Sequence, residues 1–349
     1  METKVIHMDN KNIDSQAIGE AGEVLKAGGL VAFPTETVYG LGGDALDEKA
    51  SEKIYAAKGR PSDNPLIVHI ADLAHLDRIV TQVPEKAKKL AEAFWPGPLT
   101  MIFPKSKEVP YGTTGGLDTV AVRMPNHPIA LALIRAGGGY VAAPSANLSG
   151  RPSPTMSSHV EEDLGGRIDM ILDGGPVGIG LESTIVDFTE DEPVILRPGY
   201  INQQMLEAVI GEVRVDKGII APESGIRPKA PGMKYRHYAP TADLTIVDGE
   251  SQAVREKICQ LTHDRIQEGY SVGIIATEES KDWYPEGIVK SVGSRAKEET
   301  IGHNLFALLR EFDETGVAYI YSESFDTPLM GMAIMNRLGK AAGHQVIHV

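Results

Sequence analysis

The chain has one cysteine, Cys259, in 349 residues, so an intramolecular disulfide is excluded and a reducing compartment is expected. No apolar run comes near the roughly 20 residues that a membrane span requires. The opening stretch METKVIHMDNKN is polar and has no apolar core of the signal-peptide kind. A cytoplasmic location is therefore expected. Neither a GxxxxGK(S/T) phosphate loop nor a GxGxxG turn occurs anywhere, so the common nucleotide fingerprints are missing. Basic charge is also short: 34 Lys and Arg stand against 48 Asp and Glu, for a net charge of −14. Strong, sequence-independent nucleic-acid binding needs an excess of cations and is not expected. Any anion site must be a local basic island. Repeats and low-complexity tracts are absent. The length suggests two domains, each with its own core.

What is present is concentrated in residues 33–69. A short apolar run, Gly29 to Phe33, reads as a buried strand ending at Pro34. Thr35, Thr37 and Tyr39 follow at every second position and would share one face of an extended loop. Gly40, Gly42 and Gly43 would let that loop approach a ligand closely. Asp47 is a good N-cap for a helix with Ala50, Ile54 and Ala57 on one stripe, ended by Gly59. Lys58 and Arg60 sit at its end, and Ser62, Asn64 and a strand containing His69 come next. A solvated α/β segment explains Lys58 taken singly. It does not explain two cations, two threonines, a tyrosine and an asparagine gathered around glycines and prolines. Such a cluster at element ends suits an anionic small molecule.

Further along, Pro84 begins an amphipathic helix that Trp95-Pro-Gly-Pro98 stops, and Leu99 to Phe103 and Thr119 to Met124 read as strands, the second carrying Arg123. Pro128 starts a helix to Arg135. A second dense stretch, PSANLSGRPSPT at 144–155, combines hydroxyls, an amide and turn formers, a composition that suits a phosphate or carboxylate. Strands at 168–173, 182–188 and 193–197 complete an α+β domain around a mixed sheet. Residues 217–240 are rich in proline and glycine and net positive in an acidic chain, so they read as an irregular interdomain tether that can also serve as a lid. From 243 onward strands and helices alternate as in a parallel, Rossmann-like sandwich, with helices expected from Ser251, 295 and Thr327. The polar residues of that part converge on no motif, and a structural or lid-positioning role is expected for it. The expected domains are thus 1–216, a linker or lid 217–240, and 241–349.

The segments FPTETVYGLG, AKGRPSDNPL, WPGPLT, RMPNHP, APSANLSG, STIVD and LRPG, in this order, resemble the YrdC-like family. KYRHYAP followed by a Rossmann-like domain resembles its long form, the L-threonylcarbamoyladenylate synthases. The resemblance implies a twisted mixed-sheet domain with a concave cavity, followed by a smaller parallel α/β domain. It implies synthesis of threonylcarbamoyl-AMP and pyrophosphate from L-threonine, bicarbonate (or CO2) and ATP. The product would serve threonylcarbamoylation of the adenosine beside the anticodon in tRNAs reading ANN codons, through downstream tRNA-modifying partners. By the same resemblance, Lys58, Arg60, Ser145 and Asn147 form the catalytic tetrad. The threonine pocket falls on Thr37, His69, Arg123, Ser183 and the backbone near Ala143. Nucleotide contacts fall on Arg60, Asn64, Thr119, Ser145, Ser153, Arg197 and Tyr238. Mg2+ is expected with the triphosphate, without a protein-built metal site, and no organic cofactor is implied. Two rival readings are a carbamoyl transferase and an RNA-binding module. The first expects Cys-rich zinc-finger segments that one cysteine cannot supply. The second sits poorly with the acidic balance.

Overall fold

The short run before Pro34 does form a buried strand, and the polypeptide then turns straight back beside it. In the first half of the chain the strands are β1 (Lys4–His7), β2 (Val31–Phe33), β3 (Gly40–Asp44), β4 (Ile67–His69), β5 (Leu99–Pro104), β6 (Thr119–Arg123), β7 (Val141–Ala142), β8 (Met170–Asp173), β9 (Thr184–Asp187), β10 (Val194–Arg197) and β11 (Arg214–Val215). They join in one sheet in the order β1-β8-β2-β3-β7-β4-β6-β5-β9-β10-β11. The sheet is mixed: β4 runs parallel to β6, and β5 antiparallel to it. The computed structural model describes residues 2–220 and 237–349. These divide into two units, of which the first holds Met1–Ser149, Ser153–Gly178 and the described part of Glu182–Tyr235. The second holds Gly150–Pro152, Ile179–Leu181 and the described residues up to Val349.

In the first unit, helices Ser15–Lys26 and Pro128–Ala136 close one core around Leu25, Phe33, Ile129, Leu133 and Val141. They can approach because Gly22 lacks a side chain: a Cβ there would lie 2.7 Å from that of Ala136. Helices Glu48–Lys58 and Glu85–Phe94 contribute Ile54 and Leu90 to the other core, with Leu41, Val122 and Val186. Asp47 caps the first of these through Lys49 N–H at 3.0 Å, and Gly59 ends it in the left-handed region at φ 59°, both as the sequence predicts.

The glycines at 40–43 differ from expectation. They form β3, hydrogen-bonded to β2 and β7, not an open loop. A Cβ on Gly42 would meet Val141 at 2.8 Å and Phe33 at 2.9 Å, so glycine is needed there for strand packing. The sequence reading also passes over β1 and the helix Ser157–Leu164. β1 has only Val5 and Ile6 as apolar signal and lies at the sheet edge, where little burial is required of it.

The second unit is a parallel sheet of β12 (Asp243–Asp248), β13 (Val272–Ala276), β14 (Ile288–Ser291), β15 (Tyr319–Glu323) and β16 (Val346–His348), ordered β14-β13-β15-β12-β16. Helices Ser251–Gln267, Glu298–Thr315 and Gly331–Ala341 connect its strands. The last two begin later than expected. The Glu298 carboxylate accepts from the backbone N–H groups of Leu329 and Met330, which holds the chain before Gly331 in a turn. Of the tether 217–240, residues 221–236 lie outside the described residues. Its start is corrected: Lys217–Ile220 makes one helical turn, with Gly218 N–H donating to the Asp216 carboxylate at 2.8 Å. No described helix is long and apolar enough to cross a membrane.

Candidate functional site

The helix that Asp47 caps ends on Lys58, which is 2% exposed although it carries a charge. Burying an ammonium is costly unless it is hydrogen-bonded. Here Nζ donates to the backbone carbonyls of Ser145 and Asn147. The Lys58 carbonyl in turn accepts from Ser149 N–H at 2.9 Å. The loop after β7 is therefore fastened to the end of this helix. Ser145 donates its hydroxyl to the Asn147 side-chain oxygen at 2.6 Å, and Asn147 Nδ2 donates to the Leu148 carbonyl. Three of the four residues expected to form a catalytic tetrad, Lys58, Ser145 and Asn147, thus form one contiguous group. Arg60, half-buried, bends towards its own loop and donates to the Asn64 and Pro65 carbonyls at 3.4 and 3.2 Å. Asn64 is 1% exposed, and its buried side-chain oxygen accepts no hydrogen bond from the described residues.

A second group is assembled by strand register. His69 stands opposite Arg123, Arg123 opposite Thr100, and Leu99 opposite Thr184. Adjacent strands about 4.8 Å apart therefore set His69, Arg123, Thr100 and Ser183 side by side. Thr100 and Ser183 share a hydroxyl hydrogen bond of 2.7 Å. Arg197, from the end of β10, donates to the carbonyl of Ser183 at 3.0 Å and to its hydroxyl at 3.2 Å. Ala143 donates its backbone N–H to the Ile67 carbonyl at 2.9 Å.

Arg123 is 4% exposed and donates to the Thr37 hydroxyl at 3.0 Å and, through Nε, to the Gly97 carbonyl at 3.3 Å. Its remaining Nη2 faces Glu36 Oε2 at 2.7 Å. Sequence reasoning passed over Glu36, although it stands between the two threonines that drew attention. The expected row of three hydroxyls is also corrected. Thr35 and Thr37 do meet, at 2.9 Å, but through a local turn in which Thr35 accepts from the N–H groups of Thr37 and Val38. Tyr39 faces away and donates to the Gly175 carbonyl at 2.7 Å. Burial and the Asp173 carboxylate push its phenol well above the ordinary range, so it remains protonated. His69 is pushed down to about 3 by burial and by the Arg123 charge, and burial lowers His127 to about 4. Both imidazoles are neutral near pH 7.

Three further residues, Thr119, Ser153 and Tyr238, are expected nucleotide contacts. Thr119 begins β6 and is four residues from Arg123, about 13 Å along an extended strand. Ser153 is fully buried, with its hydroxyl donating to Glu182. Tyr238 belongs to the second unit, at φ 65°, with its ring 4.9 Å from that of Phe306. Among the described residues no group of three or more His, Cys, Asp or Glu side chains is placed to hold a metal ion.

In the second unit several polar side chains gather in one place although no motif marks them. At the C-terminal ends of its strands a cavity of about 400 Å³ is lined by Asp248, Thr277, Tyr284, Arg295 and Glu323 among others. Glu323 accepts from Tyr284 at 2.8 Å and from Arg295 at 2.7 Å. These residues are distant in sequence and come together only through the parallel strand order, so no motif announces them.

Comparison with known proteins accounts for both halves of the chain. A family model described as "Telomere recombination" matches residues 23–199, and one described as "Threonylcarbamoyl-AMP synthase, C-terminal domain" matches residues 201–343. A Bacillus subtilis threonylcarbamoyl-AMP synthase is 52% identical over 97% of this chain and 96% of its own length. A Schizosaccharomyces pombe protein of the same name is 42% identical over 89% of this chain and 84% of its own. Among solved structures, Pyrococcus abyssi Sua5 complexed with L-threonine superimposes with a TM-score of 0.94 at 48% identity, covering 99% of this chain and all of that one. With the two domain models matched in order and nearly the whole length shared, the chain belongs to the YrdC-like family in its long form, the threonylcarbamoyl-AMP synthases.

Proposed function

We propose that this protein converts L-threonine, bicarbonate (or CO2) and ATP into threonylcarbamoyl-AMP and pyrophosphate, and so acts as a nucleotidyltransferase. The observation that carries the reading is the relative solved with L-threonine, 48% identical across 99% of this chain. The buried Arg123 beside Thr37 supports it, because a guanidinium with hydroxyl neighbours suits a hydroxy amino acid. In this reading Arg123 holds the carboxylate, and Thr37, His69, Ser183 and the backbone at Ala143 surround the rest of the amino acid. A pocket that hydrogen-bonds the side-chain hydroxyl rejects valine, since the isostere leaves buried polar groups unpaired.

The amine attacks CO2, loses a proton and becomes a carbamate. A carbamate oxygen then attacks the α-phosphorus of ATP, supplied as its Mg2+ complex, and pyrophosphate departs with the β- and γ-phosphates. Lys58 fixes the backbone of the 145–147 loop, and Arg60, Asn64, Thr119, Ser145, Ser153, Arg197 and Tyr238 address the nucleotide. Catalysis rests on positioning and charge stabilisation, without a covalent enzyme intermediate. The product is handed to the machinery that modifies tRNAs reading ANN codons. Exchange of labelled pyrophosphate into ATP tests the chemistry. Exchange that requires both threonine and bicarbonate is expected, and its absence, or exchange that ignores threonine, contradicts the reading.

A further inference from the structure

Glu36 and Arg123 are an ill-matched pair for a purely structural salt bridge. Their side chains are 13% and 5% exposed, and their nearest charged atoms are 2.7 Å apart. Neither Glu36 oxygen nor Arg123 Nη2, all three buried, makes an aligned hydrogen bond with any of the described residues. Charges withdrawn from water are tolerated when geometry and additional hydrogen bonds compensate, and here they do so incompletely. Beside them the His127 Nδ1 is likewise buried without a partner among the described residues, close enough for the Glu36 charge to act on it. A cluster of buried, under-satisfied polar atoms of both signs calls for a ligand that bears both signs.

A free α-amino acid meets that demand. Its carboxylate matches Arg123, and its ammonium matches a carboxylate. Entry of a zwitterion turns one strained pair into two good ones and leaves the net charge of the buried site unchanged. We propose that Glu36 is the counter-charge that receives the α-ammonium of the amino acid, and that its contact with Arg123 holds the pocket open in a self-neutralised form until the zwitterion replaces it. This inference rests on the reading that Arg123 holds the amino acid's carboxylate. It adds a residue and a reason for selecting α-amino acids over hydroxy acids of the same shape.

The test compares two ligands by calorimetry: L-threonine and the hydroxy acid in which its α-ammonium is replaced by a hydroxyl. Wild-type protein is expected to prefer L-threonine by at least about tenfold, the scale of one charge-assisted hydrogen bond. Glu36→Gln, close to isosteric, is expected to shrink the preference to within about threefold by weakening L-threonine selectively. Glu36→Asp, which keeps the charge, should restore part of it. If Glu36→Gln weakens both ligands by the same factor, Glu36 merely supports Arg123 and the proposal fails. A wild-type preference below about threefold overturns it without any variant, so a variant that does not fold leaves it testable. If wild-type protein binds the hydroxy acid but not L-threonine, the reading of the pocket itself fails, which is a different result from loss of the Glu36 effect.

Discussion

The Lys58 ammonium donates to the backbone carbonyl of Ser145, joining the end of the helix Glu48–Lys58 to the loop after β7 across 87 positions of sequence. This contact and its twin to Asn147 make Lys58 a structural clasp as well as a charge. Lys58→Met keeps the stem and removes the donor. It is expected to lower stability by about 2–3 kcal/mol, because two carbonyls lose a charged partner in a buried setting. Pyrophosphate formation should fall at least tenfold. Denaturant midpoints and turnover check this together, and unchanged stability would show that the clasp contributes little.

Arg60 and Arg123 lie in different groups, one bent over the Asn64 loop and the other buried against Thr37 and Glu36. Arg123→Ala is therefore expected to damage threonine use chiefly, and Arg60→Ala the use of ATP. Each should cost on the order of 2–3 kcal/mol in the affected apparent affinity. Steady-state titration of one substrate at saturating levels of the other separates them. Equal effects of both changes on both substrates would refute the division.

Two histidines, His69 buried and His127 half-buried, set a pH dependence. The folded values, about 3 for His69 and about 4 for His127, lie below the ordinary 6.5. The unfolded chain therefore binds more protons than the folded one between those values and about 6.5, and stability falls as the pH drops through that window. Above it both states are neutral and the contribution stays constant. Urea midpoints between about pH 5 and pH 7 should show this fall, and His69→Gln should flatten it. An unchanged slope in that variant would mean that other groups govern the acid limb.

Cys259 is half-buried against the core of the second unit, and burial raises its thiol pKa, which makes it a poor nucleophile. Cys259→Ser should keep turnover within about twofold and cost on the order of 1 kcal/mol or less of stability. Loss of turnover in a folded variant would contradict a mechanism without a covalent nucleophile.

Much of this was legible in the chain because local rules decided it. Asp47, Gly59, Pro84 and Pro128 mark helix boundaries close to where the structure has them, since caps and prolines act within one turn. The alternation after residue 243 reads as a parallel sheet because its central strands, Val272–Ala276 and Tyr319–Glu323, are largely buried runs set between helices. The strand Gly40–Asp44 escaped because glycine carries no periodic signal, and its requirement comes from Val141 and Phe33, contributed by other strands. Glu36 escaped for a related reason. A lone acidic residue in a loop reads as solvated, and only the register that places Arg123 against it reveals the pair. The polar cluster around Glu323 depends on strand order in the same way.

The central claim is adenylate formation on a threonine-derived carbamate, and labelled bicarbonate tests it most directly. The protein is incubated with ATP, L-threonine and the label, and the products are resolved by mass and radioactivity. The account predicts pyrophosphate in step with a labelled adenylate, neither forming when threonine is omitted. Release of ADP and inorganic phosphate without pyrophosphate, or a label that never reaches an adenylate, would contradict it.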